Sequence, residues 1–208
     1  MTMQLREGVE QRREPTVLSG EVAMKCVSLQ GIKVIQKRLK KGRKARRNRL
    51  KGARGRGTLE KEKQPIFVMI QRGGDVVVQM LPDVKQKTIK PYIESCIQSG
   101  STVYTDEYVI YANLTQLGYV HKTVNHGAGE YARDEDGDGF HEVHVNTQEG
   151  CWSLLRSWLR PHRGISQEKL PKYLAFFEFV HNAKKRGKAL ICSLLENFLC
   201  KNPTVQQV

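Results

Sequence analysis

The stretch Val143-His144-Val145-Asn146-Thr147-Gln148-Glu149-Gly150-Cys151-Trp152-Ser153-Leu154-Leu155-Arg156 decides how this chain is read. It opens as an extended lead-in and turns into a helix. Asn146 stands where an N-cap belongs, and Glu149 follows three residues later. Trp152, Leu155 and Leu159 recur at helical spacing and predict one apolar face. Glu149 and Arg156 are seven residues apart, two turns, and so share another face. Two readings fit these residues. One is a plain capping box followed by a core helix. The other is a functional carboxylate and arginine displayed at a helix start.

Two further stretches lie upstream: Thr102-Val103-Tyr104-Thr105-Asp106-Glu107-Tyr108 and Lys122-Thr123-Val124-Asn125-His126. Together with Val145-Asn146-Thr147-Gln148-Glu149-Gly150 they form an ordered set. That set resembles the transposase domain of the ISXO-type bacterial insertion sequences, a group within the DDE superfamily. The resemblance runs over roughly residues 13–188. It implies an α/β fold with an RNase H-like mixed sheet: three antiparallel strands, then alternating helices and strands, with helices at the C-terminal end. The implied activity is DNA transposition by metal-dependent phosphoryl transfer. Carboxylates converging from separate elements would hold two divalent cations, Mg²⁺ or Mn²⁺, at the reacting phosphate. Asp106 maps onto the second acidic position of the family. Asn146 or Glu149 maps onto the third, so Asp106, Glu149 and Asn146 are the implied metal ligands. Asn146 would give a neutral carbonyl, whereas Glu149 gives charge. Glu149 ranks slightly ahead because, with Arg156, it copies the family's acidic-then-basic spacing. Arg156 would contact a phosphate close to the metals.

The first acidic position departs from the family. Val17-Leu18-Ser19-Gly20-Glu21-Val22 reads as the start of the first catalytic strand. The family then has an aspartate-glutamate pair, a tyrosine and a Gly-His-Lys-Gly turn. This chain has Ala23-Met24-Lys25-Cys26 and, further on, Gly31-Ile32-Lys33-Val34, with Lys25 in the place of the first aspartate. Glu21 is no substitute, because four residues along a strand span ~13 Å. A catalytically defective remnant is therefore expected. A non-enzymatic DNA-binding domain with a basic surface is the alternative.

Composition supports a polyanionic partner. The chain has 208 residues, with 35 Lys and Arg against 21 Asp and Glu, a net charge of +14. Such a balance favours nucleic acid over a membrane surface. Residues 33–63 concentrate it. Arg43, Lys44, Arg46, Arg47, Arg49, Lys51, Arg54 and Arg56 stand there among few apolar residues. A loop or arm touching the DNA phosphate backbone without reading sequence is expected. The partner is DNA, the transposon ends above all, and a homo-oligomer is compatible with the resemblance. The five cysteines, Cys26, Cys96, Cys151, Cys192 and Cys200, include no C-x-x-C pair, which argues against a zinc ribbon and a secreted disulfide framework. No apolar run is long enough to span a bilayer, and no signal peptide is visible, so a cytoplasmic protein without membrane contact is expected.

In chain order, residues 1–15 read as an N-terminal remnant with a short helix over residues 4–10. Family members carry a DNA-binding region ahead of this point, so the chain is expected to begin inside the family pattern. Residues 16–182 form the transposase domain, and residues 183–208 a last helix and tail. Residues 65–71 and 75–81 predict a hairpin around Arg72-Gly73-Gly74. A helix is expected over residues 87–98, with Pro91 in its first turn, and another over residues 107–116. Asp134-Glu135-Asp136-Gly137-Asp138-Gly139 imitates a calcium loop, but the twelfth position is Val145, so it reads as an acidic surface loop. Residues 170–182 predict an aromatic-rich core helix.

The altered text has a specific genetic explanation. If residues 23–26 were written GCG ATG AAG TGT, the frame starting on the last base of the alanine codon reads Asp-Glu-Val. If residues 29–34 were written TTG CAG GGC ATA AAG GTC, the same shifted frame reads Ala-Gly-His-Lys-Gly. Both are family text. The hypothesis is a pair of compensating frameshifts bracketing roughly residues 23–39. Sequencing the coding DNA tests it, and codons incompatible with that second frame would end it.

Overall fold

The computed structural model describes residues 3–28, 34–35, 65–125, 130, 132–135, 137–139, 141–162, 164–183 and 192. The basic arginines and lysines at positions 43–56 and the expected last helix over residues 189–200, Cys192 excepted, lie outside the described residues.

Five strands form the main sheet: β1 (Glu21–Ser28), β3 (Pro65–Gln71), β4 (Val76–Met80), β5 (Thr102–Asp106) and β6 (Val120–Val124). Their order is β4-β3-β1-β5-β6. β1, β3 and β4 are an antiparallel meander, whereas β5 and β6 run parallel to β1. This is the RNase H-like mixed sheet that the sequence motifs imply. Short strands make two smaller pairings: β2 (Val34–Ile35) with β9 (Ile165–Ser166), and β7 (Ala132–Arg133) with β8 (Val143–His144).

The hairpin closes at the expected glycines. Gly74 N–H donates to the Gln71 carbonyl, and Gly73 takes a φ of 61°, which a side chain would resist. β3 is apolar on both faces because both are covered, and its first six residues are buried. Alternation along the strands sends side chains into two cores. Val22, Met24, Phe67, Met69, Val77 and Val103 face one of them, with Ile89 and Ile93 of helix α2 (Gln86–Cys96). Ala23, Val68, Ile70, Val78 and Tyr104 face the other. There they meet Trp152 and Leu155 of helix α3 (Asn146–Leu159) and Leu174 and Phe177 of helix α4 (Leu170–Ala183).

The first helix, α1 (Met3–Gln11), docks on α4. Arg6 lies over the Tyr173 ring at 4.0 Å from its centroid, and Lys172 Nζ donates to Glu7 Oε1. Among the described residues no helix is long and apolar enough to cross a membrane.

Three local expectations are corrected. Helix α2 begins at Gln86, so Pro91 is its sixth residue and lies in the second turn. Residues 107–116 hold two separate 3-10 turns, Val109–Tyr111 and Thr115–Leu117, in place of one helix. Tertiary packing explains the break: Tyr111 and Leu114 both point into the α2-side core, and no continuous helix is needed to bury them. The capping box is also absent. The N-cap of α3 is Val145, with no side-chain cap hydrogen bond, and Asn146 is the first helical residue. His144 Nδ1 accepts the Asn146 N–H at 3.3 Å, and the N–H groups of Gln148 and Glu149 donate to the Val145 carbonyl.

Packing of α3 gives a direct test of this arrangement. Leu155 is 0% exposed and its neighbour Leu154 is 51% exposed. Leu155→Ala should destabilise the domain by about 2–5 kcal/mol, whereas Leu154→Ala should stay within about 0.5 kcal/mol. Denaturant unfolding of the two variants checks this, and equal losses would contradict the orientation of α3.

Candidate active site

The site is assembled where β1 and β5 run side by side. Their parallel register pairs Ala23 with Tyr104, and two residues further on Lys25 comes beside Asp106. Both follow the alternation of Ala23 and Tyr104, so both project on the face that carries α3. Lys25 Nζ lies 3.8 Å from Asp106 Oδ2, with side chains 25% and 21% exposed. The other carboxylate oxygen, Oδ1, accepts the Tyr108 N–H at 3.4 Å. Asp106 is thus tied to the chain through both oxygens.

Two buried groups hold this strand pair in place. Tyr111 Oη accepts the backbone N–H of Cys26 at 2.9 Å, directly after Lys25. Burial pushes the Tyr111 phenol well above its ordinary value, so it remains a neutral hydroxyl. Gln148, fully buried, comes down from the first turn of α3. In the amide orientation that satisfies both its ends, it donates to the Ala23 carbonyl at 3.0 Å and accepts from Trp152 Nε1 at 3.0 Å. Gln148 therefore sets the start of α3 over β1, two residues from Lys25.

The opposite end of β1 is a separate network. Glu21 Oε1 accepts from Tyr104 Oη at 2.6 Å and from Arg72 Nη1 at 3.1 Å. Arg72 stacks on the Tyr104 ring, 3.9 Å from its centroid, and donates to the carbonyls of Glu142 and His144. Desolvation and the neighbouring Glu21 push the Tyr104 phenol up to about 12. Glu21 is thus engaged in holding the lead-in to α3, and its place at the far end of the strand agrees with its exclusion as a replacement for the first aspartate.

The other expected residues are placed as follows. Asn146, Glu149 and Arg156 are exposed on α3. Among the described residues no hydrogen bond or ion pair joins the side chains of Asn146 or Glu149 to Asp106. Arg43, Lys44, Arg46, Arg47, Arg49, Lys51, Arg54 and Arg56 lie outside the described residues. In the acidic loop, Asp134 turns its carboxylate on its own backbone, accepting from Gly137 N–H and Gly139 N–H. Cys96, Cys151 and Cys192 are free thiols.

The donor set at β1 and β5 does not fit a divalent cation. Among the described residues no group of three or more His, Cys, Asp or Glu side chains could hold a metal ion. The closest charged neighbour of Asp106 is an ammonium. A dication held about 4 Å from Lys25 would meet a repulsion of about 8 kcal/mol, twice the ~4 kcal/mol for unit charges at an effective dielectric near 20.

Sequence reasoning passed over Gln148, Tyr111 and Arg72. Gln148 had a visible signal, since it occupies the apolar stripe with Cys151, Trp152, Leu155 and Leu159. Tyr111 and Arg72 had none, because their partners are 85 and 51 residues away. Tyr111→Phe leaves the Cys26 N–H without its acceptor and should cost about 1–3 kcal/mol. Thermal or urea unfolding measures this, and a neutral outcome would remove Tyr111 from the support of Lys25.

Comparison with known proteins agrees with this architecture. The model of the ISXO2-like transposase domain matches residues 18–182. An uncharacterized protein in transposable element ISH50 of Halobacterium salinarum is 37% identical over 156 residues, covering 74% of this chain and 51% of that protein. The chain thus spans about half the length of that curated relative. No solved structure matches. Both the motif order and the sheet order carry the same signature, and the chain belongs to the ISXO2-like transposase family, whose DDE relatives bind DNA and generally use divalent metals.

Proposed function

We propose that this chain is a DNA-binding transposase domain whose phosphoryl-transfer centre is disabled. The observation that carries the reading is the ion pair between Lys25 and Asp106. An ammonium standing where the family places a metal-binding carboxylate changes the local charge by two units. It also neutralises the one carboxylate that remains at the strand end. A lysine ammonium has no lone pair to offer a cation. Mg²⁺ or Mn²⁺ is therefore not held between β1 and β5, and no catalytic step is assigned to this copy. Asn146, Glu149 and Arg156 keep the exposed positions from which the third ligand and the phosphate contact would act.

DNA binding is the activity that remains. Its support is the net charge of +14 and the eight basic residues between Arg43 and Arg56. Those residues act on the phosphate backbone, with transposon ends as the natural target and any duplex as the sequence-independent one. A domain retained purely for such binding is the second reading, and the same charge favours it. The two readings differ in end preference: a remnant transposase prefers its element's termini, and a general binder does not. Self-association on DNA is compatible with either.

Three measurements test the proposal. Incubation with end-bearing DNA and Mg²⁺ or Mn²⁺ should give no cleavage or joining above background. Lys25→Asp alone should not restore it, because Cys26 to Val34 also departs from the family text. Duplex affinity should fall steeply with salt, and replacing Arg43, Lys44, Arg46 and Arg47 with Ala should lower the log–log salt slope by roughly 3–4, at ~0.9 per phosphate contact. Robust metal-dependent joining by the chain as written would overturn the disabled centre. An unchanged salt slope would return the basic segment to solvent.

A further inference from the structure

Strand β4 is the outer strand of the sheet, and it carries the run Val76-Val77-Val78. A β-branched edge of that kind is a template for pairing with another chain. Within that run the outward backbone groups belong to Val76 and Val78, the residues that alternate away from β3. All four are satisfied, and every partner is a side chain. Asn182 Oδ1 accepts the Val76 N–H at 2.8 Å, and Asn182 Nδ2 donates to the Val76 carbonyl at 2.9 Å. Glu178 Oε2 accepts the Val78 N–H at 2.7 Å, and Arg13 Nη2 donates to the Val78 carbonyl at 3.1 Å.

The two sets are chemically equivalent. The Asn182 carboxamide offers one acceptor and one donor, as a backbone peptide does. The Arg13–Glu178 ion pair offers the same combination, acceptor from the carboxylate and donor from the guanidinium, with the two held together at 2.6–2.8 Å. Spacing also agrees. Val76 and Val78 are ~6.8 Å apart along a strand, and Glu178 and Asn182 are ~6.0 Å apart along a helix. Residues four apart on α4 therefore meet alternate residues of β4. Glu178 is only 4% exposed, which is rare for a carboxylate that serves no packing purpose. Burial raises its pKa, and Arg13 acts against that rise.

We propose that Glu178, Asn182 and Arg13 form a side-chain surrogate for a sixth strand, which keeps β4 from pairing with β4 of a second copy of this chain. Antiparallel self-pairing about a two-fold axis is the pairing an open β4 edge would adopt, because each copy presents the same alternating groups. The surrogate also makes the segment after α1 a strap. Arg13 reaches β4 and α4 at once, so docking of the N-terminal segment and closure of the edge are one event.

Amide exchange and sedimentation test this. In the wild-type protein the Val76 and Val78 amides should exchange as slowly as the central amides of β3. Fast exchange at either overturns the surrogate. In the double variant Glu178→Leu/Asn182→Leu, sedimentation velocity should show a concentration-dependent doubling of mass relative to wild type. The Val76 and Val78 amides should become exchangeable at low concentration and protected again at high concentration. Should the double variant fail to fold, Asn182→Leu alone, which uncaps only Val76, is read by its mass and by the Val76 amide. A folded variant that keeps the wild-type mass, or one that associates while these two amides stay exchangeable, overturns the proposal.

Discussion

The parallel contact between β1 and β5 is the constraint on which the rest of this protein depends. β1 is the central strand: it is antiparallel to β3 on one side and parallel to β5 on the other. Parallel pairing joins residues distant in sequence, and here it joins two segments some eighty residues apart. The register leaves no freedom at the strand ends. Once Ala23 is opposite Tyr104, Lys25 must stand beside Asp106, and both must face α3. A one-residue shift of either strand would send its side chain to the α2 core. The buried alternation of Val22, Met24 and Val103 against Ala23 and Tyr104 forbids that shift.

That constraint turns one substitution into a change of chemistry. A lysine at a loop or an outer face would be a neutral surface event. At this register it becomes the counter-ion of Asp106. The surrounding scaffold is intact nevertheless. Gln148 ties α3 to β1, Tyr111 holds β1 just beyond Lys25, and Arg72 anchors the lead-in to α3. The transposase-family fold thus carries an internal ion pair between β1 and β5.

Sheet edges follow the same logic of satisfied polar groups. Buried or covered backbone donors and acceptors need partners, and β4 obtains its partners from α4 and Arg13. The helix and the N-terminal segment are therefore part of the sheet's hydrogen bonding as well as its packing. This explains a buried carboxylate and a buried asparagine contact in a helix otherwise dominated by Phe176, Phe177 and Leu174.

The sequence by itself determined the elements whose signals are local. The hairpin around Gly73, helix α2, strand β5 and the aromatic helix α4 all rest on periodicity or turn chemistry within a dozen residues, and the ordered motifs around Asp106 and Asn146 carried the family and its sheet. Lys25 was visible as a misplaced cation for the same reason. Tertiary structure decided what depends on distant partners. The pairing of Lys25 with Asp106, the Tyr111 hydroxyl on Cys26 and the side-chain seal of β4 all join residues from 65 to 165 positions apart. Even the start of α3 lies one residue earlier than the capping pattern implies, with Val145 as its N-cap. Periodicity reports which face of an element is apolar. Only the packed sheet sets which polar groups on those faces meet, because that depends on register between strands that carry no local record of one another.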